Sequence, residues 1–281
     1  MQKLSVLALI FALLLVSCAS AAFELQSLEV NIDVRSDGSA HVVEKLELYM
    51  NAAESVDLYE TGLSINDLGT WKERIGLNDV RYHLDPAIVS ISNIRIRPQP
   101  ISRCTAVGDV RSQCFTTLIF DYDVSAHPDS NGSQVGTGLF TIENFKPRTT
   151  RYVMNPKALS FETNKQGDIA IGRTAMLIIN IPKDSTNIYI QPIPKALEGS
   201  VQPPFKNINS FTFQNVLLSK FEFTFQREET LDTEVFTTFQ SFQQLIGGLL
   251  SGPQGIAIAV IAIIVVVSFF YMTRVGRKHR E

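Results

Sequence analysis

The C-terminal part of the chain contains an apolar run that no charged residue interrupts, and this run limits where the protein can reside. It reads GIAIAVIAIIVVVSFFYM and covers 18 residues, Gly255–Met272. At about 1.5 Å per residue such a helix is about 27 Å long, which is close to the hydrocarbon thickness of a bilayer. We therefore predict a transmembrane helix over residues 254–273.

The residues that follow this run predict its orientation. Arg274, Arg277, Lys278 and Arg280 place four fixed positive charges in a short tail, residues 274–281. Lys and Arg concentrate on the cytoplasmic side of membrane helices. We therefore expect a single pass through the cell membrane, with a basic cytoplasmic tail and the N-terminal body outside.

The first residues, 1–22, have the pattern of a secretory signal peptide. The apolar stretch Leu4–Val16 is 13 residues long, too short to span a bilayer comfortably, and small residues follow it. Three interpretations stay open. The signal is cleaved after Ala21 or Ala22, or it is processed as a lipoprotein with lipidation of Cys18, or it is retained as an anchor.

Between these two ends apolar residues alternate with polar ones, a pattern typical of β-strands with one buried face. Leu28, Val30, Ile32 and Val34 alternate in this way before Asp37-Gly38, a dipeptide suited to a tight hairpin. We predict this opening hairpin and several later strands. The later strands are predicted at residues 88–96, 115–124, 138–142, 150–154, 168–171, 174–181, 187–193, 210–214 and 220–226.

Many short strands at this spacing predict a mainly β fold, built as an antiparallel β-sandwich. The strands form either one large sandwich or two small ones, with residues 23–150 as the first part and 151–227 as the second. One short inserted helix is expected within Ser64–Leu77, where apolar residues recur at helical spacing and Ser64 is a possible N-cap.

After the last predicted strand, residues 228–250 change to helical spacing, with a stripe rich in phenylalanine. The stripe consists of Leu231, Val235, Phe236, Phe239, Phe242, Leu245, Ile246 and Leu249. This amphipathic helix either packs on the outer body or on the bilayer surface. Alternatively, it is a seam for a homo-oligomer or for a partner protein of the cell envelope.

Two cysteines, Cys104 and Cys114, lie in the exported body, and an even pair in an oxidising compartment predicts a disulfide. Closing a loop of this size stabilises the fold by about 3 kcal/mol in the chain-entropy account. Asn131 begins an Asn-Gly-Ser triplet, which makes it a glycosylation candidate.

The motifs of the common enzyme and cofactor classes are not found in the sequence. It has no HExxH pattern, no Walker loop and no dinucleotide fingerprint, so we expect neither enzymatic activity nor a bound cofactor. Asp121, Asp123 and Asp129 are weak calcium candidates, and a solvated strand edge explains them equally well. The net charge of −3 argues against a nucleic-acid partner. Glu44 interrupts the apolar face of the second predicted strand.

The opening stretch Val30-x-Ile32-x-Val34-x-x-Asp37-Gly38-Ser39-Ala40-x-Val42-x-Glu44 resembles the start of ectodomains in prokaryotic predicted membrane proteins of unknown function. Those proteins have a signal peptide, a β-rich outer domain and C-terminal membrane helices. The resemblance covers the opening hairpin and implies a β-rich exported domain, but it implies no activity. That family usually has more membrane helix and more low-complexity tail than this chain.

These observations together predict a single-pass, surface-anchored β protein. We expect it to act as a binding or scaffolding module of the cell envelope, or as a subunit of a membrane complex. Two alternatives remain. The first is an extracellular hydrolase built from scattered carboxylates, and the second is a surface protein whose C-terminal helix is a sorting signal that is cut off.

Overall fold

The computed structural model describes residues 23–107, 110–126, 138–146, 148–199 and 202–228. The chain divides into two compact units, residues 1–228 and 229–281, and every described residue belongs to the first unit. The predicted signal peptide, transmembrane helix and basic tail therefore lie outside the described residues, as does the predicted Phe-rich helix except for its first residue, Glu228, which ends a strand. Within the described ranges, no helix is long and apolar enough to cross a membrane.

The described residues are mainly β, with twelve strands and two α-helices. The first six strands are β1 (Phe23–Val34), β2 (Ala40–Met50), β3 (Ser90–Pro98), β4 (Arg103–Val107), β5 (Val110–Ser125) and β6 (Phe140–Lys146). The other six are β7 (Thr149–Met154), β8 (Glu162–Thr163), β9 (Ile169–Asn180), β10 (Ser185–Gln191), β11 (Ser210–Leu218) and β12 (Glu222–Glu228). The helices are α1 (Ala53–Glu60) and α2 (Leu68–Ile75).

These strands form two sheets. The larger, eight-stranded sheet has the order β11-β9-β1-β2-β5-β3, with β4 beside β5 and β8 beside β9. The smaller sheet has the order β10-β12-β7-β6. Each sheet takes strands from before and from after residue 150, so strand pairing crosses the boundary proposed there.

The opening hairpin is confirmed. Strands β1 and β2 are antiparallel, with Val34 opposite Ala40 across the turn. Gly38 has a φ of 79°, in the left-handed region that glycine adopts without strain, and its N–H donates to the carbonyl oxygen of Arg35 at 3.0 Å. The Asp-Gly dipeptide therefore forms the turn that its composition predicts.

One strand pair differs from the antiparallel prediction. Strand β9 runs parallel to β1, from Leu28 opposite Ala175 to Asp33 opposite Asn180. The other strand pairs among the described residues are antiparallel. The prediction is wrong here because alternation shows which face of a strand is buried, but it does not show the direction of the neighbouring strand.

The inserted helix is confirmed as α2, although its cap differs from the prediction. The N-cap is Asp67, not Ser64, and its Oδ2 accepts a hydrogen bond from the Thr70 N–H at 2.7 Å. Gly76 ends the helix in a left-handed conformation, which is the common C-terminal arrangement. Helix α1 was not predicted, because its eight residues have a weaker amphipathic pattern than the eight residues of α2.

The core lies where the inner faces of the two sheets meet. The ring of Phe211 in β11 contacts that of Phe223 in β12, with centroids 5.3 Å apart. Phe140 in β6 lies 5.5 Å from Phe225 in the same layer. All four rings are buried, and each contributes about 1.5–3 kcal/mol through removal from water.

The described part of the chain begins and ends at opposite ends of strand β1. The backbone carbonyl oxygen of Ser36, in the β1–β2 turn, accepts hydrogen bonds from Tyr152 Oη at 2.7 Å and from Arg227 Nη1 at 2.9 Å. Glu228, the last described residue, therefore lies near this turn, at what we call the turn end of the domain. Phe23 begins β1 at the other end, about 36 Å away at 3.3 Å per residue, which we call the open end.

Candidate functional site

A buried carboxyl group in β2 is the centre of a polar network. The alternation of β2 places Glu44 on the inner face, and its side chain is 0% exposed. Its Oε1 accepts hydrogen bonds from the backbone N–H of His83, at 2.8 Å, and from the hydroxyl of Tyr122. Its Oε2 lies 2.8 Å from Nδ1 of His83. A buried carboxyl group is costly unless it is paired, and these contacts satisfy it.

The network fixes the orientation of the His83 ring. Nδ1 of His83 is hydrogen-bonded to the Glu44 carboxyl group. The Phe161 ring packs against the imidazole, with ring centroids 5.1 Å apart. Nε2 is then the ring atom that remains for another group. Burial, together with the nearby Glu44 charge, raises the pKa of Tyr122 well above its usual value, so its hydroxyl stays a protonated donor.

His83 lines a cleft that forms where β1 and β9 separate. The parallel pairing begins at Leu28 and Ala175, and closer to the open end the two strands diverge. At this end β11 pairs with one edge of β9. The other edge, which pairs with β1 further along, pairs here with β8, where Glu162 is opposite Ala170. The remaining space is about 150 Å³.

The size and lining of this cleft restrict what it can hold. Sites for drug-sized ligands are about 300–1,000 Å³, so this cleft fits a very small molecule or one side chain of a partner. Asp79, Arg81 and Glu162 give its lining both signs of charge. The Nε of Arg81 is buried and has no hydrogen-bond partner among the described residues, so the polar lining is not fully satisfied internally.

The chemistry of the cleft centres on an oriented histidine among charged side chains. A histidine held by a buried acid can act as an oriented base. However, the described residues that line the cleft include no serine or cysteine. Thr174 brings a hydroxyl to the lining, and no hydrogen bond joins it to His83 within the described ranges. The ionisable side chains that share the described lining with His83 are Asp79, Arg81 and Glu162.

The aspartates predicted as calcium candidates lie on the outer face of the larger sheet. Asp121 pairs with Arg97, and Asp123 contacts Arg35, accepts a hydrogen bond from Asn93 at 2.8 Å and lies 3.2 Å from a ring nitrogen of His41. The Asn93 hydrogen bond, with the guanidinium of Arg35, lowers the pKa of Asp123 to about 2.

Two of the three calcium candidates, Asp121 and Asp123, are therefore already paired with arginine side chains. In the described ranges no three His, Cys, Asp or Glu side chains lie close enough to hold a metal ion. Asp129, the third candidate, lies outside those ranges. The contacts of Asp121 and Asp123 are those of a solvated strand face with ion pairs.

The predicted disulfide is confirmed. Cys104 in β4 lies opposite Cys114 in β5, and a disulfide joins them with Cα atoms 4.1 Å apart. The bond closes a β4–β5 hairpin rather than an irregular loop. The remaining predicted positions lie outside the described residues. They are Cys18, Asn131, Arg274, Arg277, Lys278 and Arg280.

Sequence reasoning did not find the cleft, although one signal pointed toward it. Glu44 falls in the buried phase of β2, and a carboxyl group in that phase requires partners. Its partners are 39 and 78 residues away in the chain, at His83 and Tyr122. Neither residue has a local pattern that marks it.

Comparison with known proteins assigns no family to this chain. No protein-family model matches it, and no curated protein matches it either.

Proposed function

We propose that this protein is a single-pass membrane-anchored binding module, with a β-sandwich outside the cell and the cleft beside His83 as its ligand site. The observation that carries the proposal is the cleft itself, where a buried acid holds a histidine in a fixed orientation beside unfilled space. A sheet that needed only to be stable would close this space with apolar side chains.

The sequence supports the membrane anchor. An uncharged run of 18 residues followed by a basic tail is the usual pattern of a single span with its tail in the cytoplasm. The Cys104–Cys114 disulfide suits an exported domain, because thiols stay reduced in the cytoplasm.

The position of the cleft supports recognition of a partner protein. The cleft lies toward the open end of the domain, whereas the chain continues toward the predicted span from Glu228 at the turn end. A ligand site at the open end is accessible to other envelope proteins. Its volume suits one inserted side chain, the arrangement in which a few central residues carry most of the binding energy of an interface.

Site-specific photocrosslinking in intact cells tests this proposal. A photoreactive residue replaces Glu162 at the rim of the cleft and, as a matched control, Glu73 on the exposed side of α2. We expect a discrete adduct from position 162 and none from position 73, and Arg81→Gln should weaken that adduct. Equal labelling at both positions, or no adduct at either, would contradict the proposal.

A hydrolase is the second candidate, because Nδ1 of His83 lies 2.8 Å from the Glu44 carboxyl oxygen, as in a base with its orienting acid. Turnover of small chromogenic esters decides between the two functions. A hydrolase loses turnover in His83→Gln, whereas a binding module gives no turnover above buffer in the parent protein.

A further inference from the structure

We infer that the end of the smaller sheet where β6 ends and β7 begins rests on the membrane surface, with Phe145 among the lipid headgroups and Lys146 and Arg151 beside lipid phosphates. The inference depends on the proposed membrane anchor and adds to it a contact between the folded domain and the bilayer. It concerns the turn end of the domain and does not involve the cleft.

The first observation is the composition of this end of the sheet. Phe145 is 47% exposed, although it is a large aromatic side chain on a strand at the edge of the smaller sheet. The Lys146 ammonium lies 5.2 Å from the centre of its ring, and the Arg151 guanidinium carbon lies 6.0 Å away. Aromatic rings and long cationic side chains together are typical of residues at a membrane interface, where the ring is half immersed and the cations reach the phosphates.

The second observation is the path of the chain. Strand β12 is the last described strand, and its final residue, Glu228, pairs with Thr149 in β7. Thr149 is the first residue of β7, directly after the β6–β7 turn. The described chain therefore ends at the same end of the smaller sheet as Phe145, with β7 between β12 and β6, and the predicted span at residues 254–273 follows in the sequence.

Charge favours lipid as the occupant of this surface. Lys146, Arg148 and Arg151 are within seven positions of one another, with Glu143 4.0 Å from Arg151 as an opposing charge. Glu228, opposite Thr149, is a second negative charge here, so the three cations and two acids leave the turn with a net charge of +1 on a chain whose overall charge is −3. A locally basic surface beside the point of attachment is attracted to anionic headgroups.

Quenching of tryptophan fluorescence by brominated lipid tests the contact. The full chain is reconstituted in vesicles of equal parts dibrominated phosphatidylcholine and phosphatidylglycerol, with Phe145→Trp as the probe. The native Trp71 is buried and gives a constant background. The matched control is Leu217→Trp, since Leu217 is 43% exposed and lies toward the open end, where it pairs with Ala170.

We expect the emission added by Phe145→Trp to fall to roughly half in brominated vesicles relative to unbrominated ones, because an interfacial ring lies against the upper acyl carbons. The emission added by Leu217→Trp should not change. Adding Lys146→Glu to the probe variant should reduce the quenching, since it reverses a charge that faces the phosphates. Circular dichroism of each variant verifies that the domain is folded.

Flotation of the same vesicles after a carbonate wash separates the two proposals. If the chain floats but Phe145→Trp is quenched no more than Leu217→Trp, the domain is held away from the bilayer and this inference is overturned, while the anchor stands. If the chain does not float, the anchor is overturned and the lipid contact with it. Quenching that Lys146→Glu leaves unchanged contradicts the role assigned to the cations.

Discussion

Removing the carboxyl group of Glu44 should destabilise the domain more than removing that of Glu47, the other acidic residue of β2. Glu44→Ala leaves three buried donors without an acceptor: the His83 backbone N–H, the His83 ring and the Tyr122 hydroxyl. Each unsatisfied buried donor costs about 1–3 kcal/mol, and relaxation or an entering water recovers part of that. We therefore expect a loss of about 3–6 kcal/mol in the free energy of unfolding, a large part of the 5–15 kcal/mol typical of a domain.

The measurement is urea unfolding of the full chain in detergent micelles, followed by the fluorescence of the buried Trp71. Glu47→Ala is the matched control, because Glu47 is on the same strand with its side chain on the outer face. It loses one part-buried hydrogen bond, from Ser27 Oγ, and should cost no more than about 1 kcal/mol. Glu44→Gln should cost about 1–2 kcal/mol, since the amide oxygen still accepts and the imidazole can change tautomer. If Glu44→Ala lowers the free energy of unfolding no more than Glu47→Ala does, the hydrogen bonds of Glu44 do not stabilise the domain as described.

Three further predictions concern other parts of the domain. Asp123→Asn should lower the Tm near neutral pH. The Tm difference from the parent should shrink as the pH falls from 3.8, the ordinary pKa of an aspartate, through about 2, the pKa of Asp123 in the folded protein. The reason is that the native carboxylate binds its proton only at lower pH. Gly138→Ala should cost at least about 2 kcal/mol, since φ is +74° and the new Cβ would lie 2.3 Å from the Ile88 carbonyl oxygen. Replacing both Cys104 and Cys114 with serine should cost up to about 3 kcal/mol, the loop-closure entropy of the bond.

Each of these predictions has a control and an opposing outcome. Asp57→Asn on the exposed side of α1 is the control and should leave the Tm at neutral pH unchanged. A Tm difference between the parent and Asp123→Asn that persists below pH 2 would refute the ion-pair explanation. Gly69→Ala in α2 should be neutral or stabilising, because helical alanine is favoured over glycine. For the disulfide, a parent protein whose Tm is unaffected by reductant would contradict the expected contribution.

Local patterns predicted much of this fold because they depend on neighbours in the chain. The Asp37-Gly38 turn and the alternation on both sides of it predicted the first hairpin. An even pair of cysteines in the body expected to be exported predicted the bond between Cys104 and Cys114. Helix α2 was predicted from its apolar spacing. Its cap was misplaced by three residues, because Ser64 and Asp67 are both good caps and only the structure distinguishes them.

The features that escaped prediction depend on contacts between distant residues. The parallel pairing of β1 with β9 joins Leu28 to Ala175, and alternation is identical for either strand direction. The cleft forms because this parallel pairing stops at Leu28 and Ala175, and because a loop brings His83 to Glu44. Predicting the site would have required treating Glu44 as a buried acid with an unknown partner.

Cysteine labelling in intact cells tests the central claim, a domain outside the membrane with an accessible cleft and a tail inside. Two single variants are compared, Glu162→Cys at the rim of the cleft and Arg277→Cys in the basic tail, each treated with a maleimide that cannot cross membranes. We predict that position 162 is labelled in intact cells and that position 277 is labelled only after permeabilisation. Labelling of position 277 in intact cells, or protection of position 162 until permeabilisation, would contradict the account.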